Sequence, residues 1–427
     1  MLEVLREQWP VGQGCFSTGI IKARSTQGGN ASLTYVYDCG ARNREHLREI
    51  VEGYREATSK IDALFVSHFD DDHVGGLDLL LAGVKVDTVY IPYIDHITPI
   101  LEVVGAAQEQ SVTSSFVEAC LEPERWFGQR GVNRVVQVRR GEGPPGDGPD
   151  VVEPTPLAPD LTPELRFKES RPPEPVRSRA TGTRSSRLER IDLGTSVCTV
   201  AGSAQCNWVL IPYVHPAPIE RQSAFLARLR RDLKLPSRRH LSAEILAEAL
   251  RSATTRRMIK DCYDEIISGG ATRSHNRLSM SLYSGPAKAA QSLQWQYWVS
   301  SGGLGPDLPE HFVEYYDEYE FGGGWLGTGD AKLSVTAIRN EWKGFYQKVS
   351  SMVGTLLLPH HGSHRNFHPE LLNLPSLNLC VAAADDADRG YKHPSKTVVT
   401  TVLRVGKRLC HVSRQPQSHL AERVRTQ

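Results

Sequence analysis

The chain has 427 residues, 40% hydrophobic and 23% charged, which places it among ordinary globular proteins with room for one large domain with insertions or two smaller ones. Fifty Lys and Arg face 49 Asp and Glu, so the whole is no polycation and any nucleic-acid surface must be a local patch. No apolar run approaches a membrane span and acids precede the first apolar stretch, so neither membrane insertion nor a signal peptide is expected; eight cysteines without a C-x-x-C pair read as buried thiols of a reducing, cytoplasmic setting.

In chain order, Gly-rich turns first alternate with strand-like runs. Val11-Gly12-Gln13-Gly14 precedes Gly19-Ile20-Ile21, and the β-branched and aromatic run Leu33–Tyr37 stops at Asp38-Cys39-Gly40. The spacing of Leu47, Ile50, Val51 and Tyr54 predicts a helix, and Ile61–Val66 predicts a buried strand that runs straight into Ser67-His68-Phe69-Asp70-Asp71-Asp72-His73-Val74-Gly75-Gly76. Strands alternating with helices predict an α/β layered fold. Residues 141–190, crowded with Pro, Gly and acids and then with Arg and Ser, read as a flexible insertion, because they offer too little apolar surface to offset ordering. Strand patterns return over 191–216. Residues 217–270 read as a helical insertion with Phe225, Leu229 and Leu233 on one face. It is basic: positions 217–260 hold eleven Lys and Arg against four Asp and Glu. The remaining strand signals, Leu278–Tyr283, Trp325–Gly327, Thr355–Leu358 and Leu379–Ala383, fall within 271–413, and 414–427 reads as a polar tail.

His68, Asp70, Asp72 and His73 lie within six residues directly after an apolar strand. Imidazole and carboxylate together are ligands for first-row divalent metals, whereas a plain acidic loop or a helix N-cap is the blander reading. Recurrence decides between them. Asp330, His360-His361 and His393 also follow apolar strands, and four strand ends bearing His or Asp are the pattern of a metal site at a sheet edge.

These residues resemble a known family. The Ser-His-x-Asp-x-Asp-His-x-Gly-Gly segment is similar to the first metal motif of metallo-β-lactamase-fold hydrolases, and most similar to the hydrolase domain of ComEC-type DNA-uptake proteins. Val11–Gly14, Asp38-Cys39-Gly40, Val214-His215-Pro216, Asn276 with Ser279, Thr328-Gly329-Asp330, Pro359–Ser363 and Tyr391–Pro394 follow that subgroup's order over about 1–100, 190–216 and 272–413. The resemblance implies an αββα sandwich, with residues 1–140 forming its first half and 271–413 its second, interrupted by a disordered linker and the basic helical insertion. It implies two divalent ions: His68 and Asp70 on one; Asp72, His73 and one of His360 or His361 on the other; Asp330 bridging. Asp70 stands where the commoner motif has its second His, a harder ligand that admits manganese or magnesium beside zinc. The alternation of side chains along a strand predicts that only one of His360 and His361 faces the metals. His393 is a candidate general acid or phosphate contact and Asp72 a candidate catalytic carboxylate.

The leading expectation is a metal-dependent nuclease or phosphodiesterase with nucleic acid as substrate, the basic insertion and the Arg177–Arg190 run supplying phosphate contacts. A small-molecule phosphoesterase is the alternative, and a silent sensor or scaffold a weaker one, since no ligand position is apolar. The soluble architecture also suggests an effector of a phage-defence system with a protein partner.

Overall fold

The computed structural model describes residues 2–24, 30–93, 122–139, 148–150, 165–176, 185–201, 204–215, 219–234, 279–288, 293–300, 312–317, 322–385 and 392–426, with scattered single positions at 119 and between 249 and 262. The chain opens with an antiparallel meander, β1 (Leu2–Gln8), β2 (Gly14–Arg24) and β3 (Asn30–Ala41). Helix α1 (Arg44–Ala57) follows, capped by the Asn43 side chain, which accepts the His46 N–H at 3.1 Å; its buried face is Leu47, Ile50, Val51 and Tyr54, the predicted set. Then come β4 (Lys60–Phe65), the short helices α2 (Asp71–Val74) and α3 (Leu77–Leu81), β5 (Lys85–Pro92), α4 (Pro123–Gln129) and β6 (Arg134–Arg139). Strands β3 to β6 run parallel.

Next are β7 (Leu165–Glu169), β8 (Glu174–Pro175), β9 (Arg187–Asp192), β10 (Val197–Ala201), β11 (Ala204–Tyr213), helix α5 (Ile219–Asp232) and β12 (Ser281–Gly285). The chain continues with β13 (Leu293–Ser300), β14 (Phe312–Asp317), β15 (Gly324–Gly327), α6 (Thr336–Phe345), β16 (Val353–Leu357), β17 (Leu379–Ala383), α7 (Lys396–Arg404), β18 (Arg408–Val412) and β19 (Leu420–Thr426). Among the described residues one sheet has the order β14-β13-β19-β1-β2-β3-β4-β5-β6-β9-β8 and the other β18-β17-β16-β15-β12-β11-β10-β7. Strands β15 to β18 are parallel.

Three apolar layers hold this together. Phe65, Tyr90, Trp208, Leu282, Leu357 and Val381 pack between the two sheets. Ile50, Leu80, Trp126 and Leu229 bury α1, α3, α4 and α5 against the outer face of the first sheet, and Trp342 and Val402 bury α6 and α7 against the outer face of the second. Strand alternation feeds both faces: Leu379, Val381 and Ala383 point between the sheets while Cys380 and Ala382 point under the helices. The result is the expected αββα sandwich. No helix among the described residues is long and apolar enough to cross a membrane.

Three expectations need correction. The segment 141–190 contributes strands: β7 joins the second sheet beside β10, and β9 extends the parallel run of the first beside β6. Their charges, which suggested disorder, pair across strands, with Arg134 reaching Glu169 and Glu189 at 2.7 Å each and Arg139 reaching Asp192 at 2.7 Å. The tail is also ordered, since β19 lies between β13 and β1. Its charges disguised it, because Glu422 shares the inward face with Leu420 and Val424 and faces Arg6 at 3.4 Å. Finally, the strand expected over 278–283 begins at Ser281. Most of 217–270 lies outside the described residues; in α5, Arg228 pairs with Asp232 at 2.8 Å.

Candidate metal centre

Parallel strands present their carboxyl ends on the same side of a sheet, so the loops after β3, β4, β15, β16 and β17 gather along one seam of the sandwich. After β4 the chain turns through Ser67 and His68 into α2. Asp70 occupies the position before that helix, yet its carboxylate makes no capping hydrogen bond; its Oδ2 lies 3.5 Å from His68 Nε2. The helix-cap reading therefore fails for the side chain. Gly40 explains why α2 sits so close to β3: a Cβ there would meet the His73 backbone N and C at 2.5 Å.

Three imidazoles converge. His68 Nδ1 lies 2.9 Å from Ser67 Oγ, which itself donates to Asp38 Oδ2 at 2.6 Å. His73 Nδ1 meets Asp38 Oδ2 at 2.7 Å, and His361 Nδ1 meets the Ala383 carbonyl at 2.8 Å. With each Nδ1 engaged by an acceptor, the Nε2 lone pairs are left facing inward. All three Nε2 atoms are buried with no hydrogen-bond partner among the described residues. They face two carboxylates. Asp72 Oδ2 is 3.4 Å from His361 Nε2, and the two oxygens of Asp330 divide their neighbours. Oδ1 lies 3.2 Å from His73 Nε2 and 3.9 Å from His361 Nε2, whereas Oδ2 lies 3.7 Å from His68 Nε2 and 3.2 Å from His360 Nδ1. The potential ligand atoms of His68, His73 and Asp330 lie within 4.8 Å of one another, as do those of Asp72, His73 and His361. A third grouping, Cys15 with Asp38 and His73, is a poorer donor set, because burial and the Asp38 charge push the thiol well up and His73 Nδ1 is already bonded.

The charges describe a site built for cations. Burial alone would raise Asp72 and Asp330, but His361 and His73 hold Asp72 below its ordinary value, and His360, His73 and His68 do the same for Asp330. Burial would likewise lower His73, but Asp330 and Asp38 hold it well above the usual imidazole range. Convergent acceptor lone pairs beside buried carboxylates fit divalent ions.

The strand argument about His360 and His361 does not hold. Strand β16 ends at Leu357, and both histidines occupy a turn in the left-handed region, φ 49° and 58°, which brings both toward Asp330. His361 is buried and His360 is 25% exposed in its side chain, at the mouth. His393 lies outside this set, its ring centroid 5.7 Å from that of His360. Burial, with His360 and His361 beside it, pulls His393 down to about 4, so its imidazole is neutral at neutral pH. His215 sits with Tyr213 and Glu341, and His368 caps the turn at Glu370; Asn276 lies outside the described residues.

Sequence reasoning gave no role to the groups behind the ligand candidates, although Asp38 and Ser279 stand in the motifs it noted. Asp38 accepts from the Ser67 N–H at 2.6 Å as well as from its hydroxyl, Ser279 Oγ accepts the Asp330 N–H at 2.8 Å, and Asn366 donates to the Asp330 carbonyl at 2.9 Å. The only sequence signal for Asp38 was its place in the Asp38-Cys39-Gly40 motif, which the structure includes in β3 and where Asp38 takes φ 59°. Asp38→Asn should weaken metal affinity by roughly 10–100-fold with little change in secondary structure, because it alters the tautomer and aim of His73 rather than removing a ligand. Titration of the variant with Mn²⁺ or Zn²⁺ checks this, and an affinity equal to wild type would make Asp38 a purely structural carboxylate.

Residues 32–173 match the family model of the metallo-beta-lactamase superfamily. No curated protein matches the chain in sequence. Among solved structures, a crystal structure of a long form RNase Z from yeast is similar at a TM-score of 0.29 and 9% identity, over 90% of this chain and 37% of that one. The chain thus spans little more than a third of the length of that structure.

Proposed function

We propose that this chain, which carries a metallo-β-lactamase superfamily domain, is a metal-dependent phosphodiesterase with nucleic acid as its substrate. The observation that carries the reading is Asp330, whose two oxygens address two separate sets of imidazoles, the arrangement of a carboxylate shared by two cations. In this reading His68, Asp70 and His360 would hold one ion and Asp72, His73 and His361 the other, with Asp330 available to both. Divalent ions held there supply Lewis acidity, lowering the pKa of water and drawing charge from a phosphoryl group.

The chain's own residues do the rest. Asp38 and Ser67 keep the imidazole Nδ1 atoms occupied so that Nε2 lone pairs face the ions, and Ser279 and Asn366 fix the backbone of Asp330. His393, neutral and beside His360, suits a hydrogen-bond donor to a phosphoryl oxygen better than a donor of a full proton. Support for the phosphoester class comes from the ComEC-like order of motifs.

The test is to load the purified chain with Mn²⁺ or Zn²⁺, count ions by elemental analysis, and incubate it with single- and double-stranded DNA, RNA and nucleotide phosphodiesters. About two ions per chain and metal-dependent cleavage of a polynucleotide are expected. Cleavage confined to mononucleotide substrates would move the assignment to a small-molecule phosphoesterase. His393→Ala should keep its metals and slow alkyl and nitrophenyl phosphodiesters alike by roughly one to two orders of magnitude, the worth of one charge-assisted hydrogen bond. Recovery on the nitrophenyl ester alone would instead make His393 the general acid.

A further inference from the structure

Tyr93 is the one exposed aromatic side chain among the described residues, at 36%. It follows the last residue of β5, and its backbone N–H donates to the Val138 carbonyl at 2.7 Å, which fixes it beside the end of β6. Strand β5 runs parallel to β4 with Tyr90 opposite Phe65. Tyr93 and His68 therefore each stand three residues beyond that pair, at the seam that carries the candidate metal centre. The Arg190 guanidinium lies over the Tyr93 ring, 4.5 Å from its centroid, and donates to Gln137 Oε1 at 3.3 Å, while its Nε is buried without a hydrogen-bond partner. Other arginines of β6 and β9 pair with carboxylates: Arg134 with Glu169 and Glu189, Arg139 with Asp192 and Glu174, Arg187 with Glu189. Arg190 meets no carboxylate among the described residues, since Glu174, opposite it in β8, is paired with Arg139.

We infer that Tyr93 and Arg190 form a platform on which one base of a single-stranded nucleic-acid substrate stacks while its backbone reaches the metal centre. This rests on the phosphodiesterase reading above. An aromatic face beside a positive charge that no carboxylate neutralises complements a nucleotide, which joins a π-face to a phosphate. A protein partner would call for a wider apolar patch. The other exposed large apolar side chains, Val335, Leu403 and Val405, lie at α6 and α7, over the second sheet. A duplex keeps its bases stacked inside, so an unpaired strand is what offers one to the ring. Because every base has a π-face, the platform selects single strands without selecting sequence.

Fluorescence anisotropy of a labelled single-stranded oligonucleotide with hydrolysis-resistant phosphorothioate linkages, titrated with the Mn²⁺-loaded full chain, tests this apart from turnover. Tyr93→Ala and Tyr93→Leu should each bind roughly 5–100-fold more weakly than wild type, the worth of one stacked base, whereas Tyr93→Trp should stay within about threefold. Arg190→Ala should lose roughly 2–30-fold, the range of a contact between a cation and a ring. On the same strand made abasic throughout, wild type and Tyr93→Ala should agree within about twofold, because the phosphates remain and the stacking partner does not. A merely structural role for Tyr93 would weaken both strands alike. Equal affinity of wild type and Tyr93→Ala for the intact strand, an equal loss on the abasic strand, full retention in Tyr93→Leu, or no binding by wild type would each overturn the inference. If the loss is confined to the intact strand but wild type cleaves no polynucleotide, the platform stands and the phosphodiesterase reading falls. Cleavage with unchanged affinity in Tyr93→Ala keeps that reading and removes the platform.

Discussion

Asp330→Asn should cut metal content to about one ion per chain or fewer and reduce hydrolysis well beyond the ~10–100-fold expected of a group that merely orients a ligand. Asparagine keeps the size of the side chain and one acceptor oxygen but removes the charge. Asp330 is 2% exposed and its two oxygens lie among His68, His73, His360 and His361, so in the proposed two-ion reading the substitution removes the negative charge that would lie between the cations. The substitution has a readout that does not depend on turnover. Metal at 100 times its dissociation constant stabilises a folded protein by about 2.7 kcal/mol, so wild type should melt several degrees higher with metal than with chelator. Asp330→Asn should lose most of that difference while retaining its far-ultraviolet circular dichroism. Wild-type metal content in the variant would remove Asp330 from the site.

The largest expected stability effect lies away from the site, at the ion pair between the sheets. Arg6 and Glu422 face each other at 3.4 Å with side chains only 4% and 3% exposed. Glu422 Oε1 also accepts from Trp295 Nε1 at 3.1 Å and from the Thr355 hydroxyl, and Arg6 donates to the Ser284 carbonyl at 3.1 Å. Glu422→Ala strands the guanidinium in the core and leaves two donors unmet, which should cost about 3–5 kcal/mol. The double replacement Arg6→Met with Glu422→Leu should cost clearly less than Glu422→Ala alone, because neither charge is then buried without its partner. Urea unfolding of the three proteins checks the order. A loss below about 1 kcal/mol in Glu422→Ala would mean that β19 is not anchored through this pair.

That pair also shows where pattern reading reached its limit. Helix α1 was legible because its apolar positions, Leu47, Ile50, Val51 and Tyr54, repeat at helical spacing and face one layer. The ends of β4, β15 and β16 were legible for a related reason: an apolar run followed within three residues by His or Asp marks a chain leaving the core with chemistry in hand. Strand β19 was not legible, because Glu422 occupies an inward position that Arg6, more than four hundred residues earlier, makes tolerable together with Trp295 and Thr355. The strands at 165–192 were hidden likewise, their charges balanced by Arg134 and Arg139 of β6, which lies beside β9 and in the sheet opposite β7.

The same division runs through the site. Residue types and order along the chain were enough to nominate His68, Asp70, Asp72, His73, Asp330, His360, His361 and His393, since short motifs at strand ends are local facts. Which nitrogen of each imidazole faces inward was decided by Asp38 and the Ala383 carbonyl, brought there from other strands, and by Ser67, whose hydroxyl Asp38 holds. That His360 and His361 both approach Asp330 depended on two left-handed residues in a row, a backbone path that strand alternation does not anticipate. Apolar periodicity and motif spacing are properties of the chain itself, whereas the partner of a buried charge and the lone pair of a histidine exist only once distant strands are packed side by side.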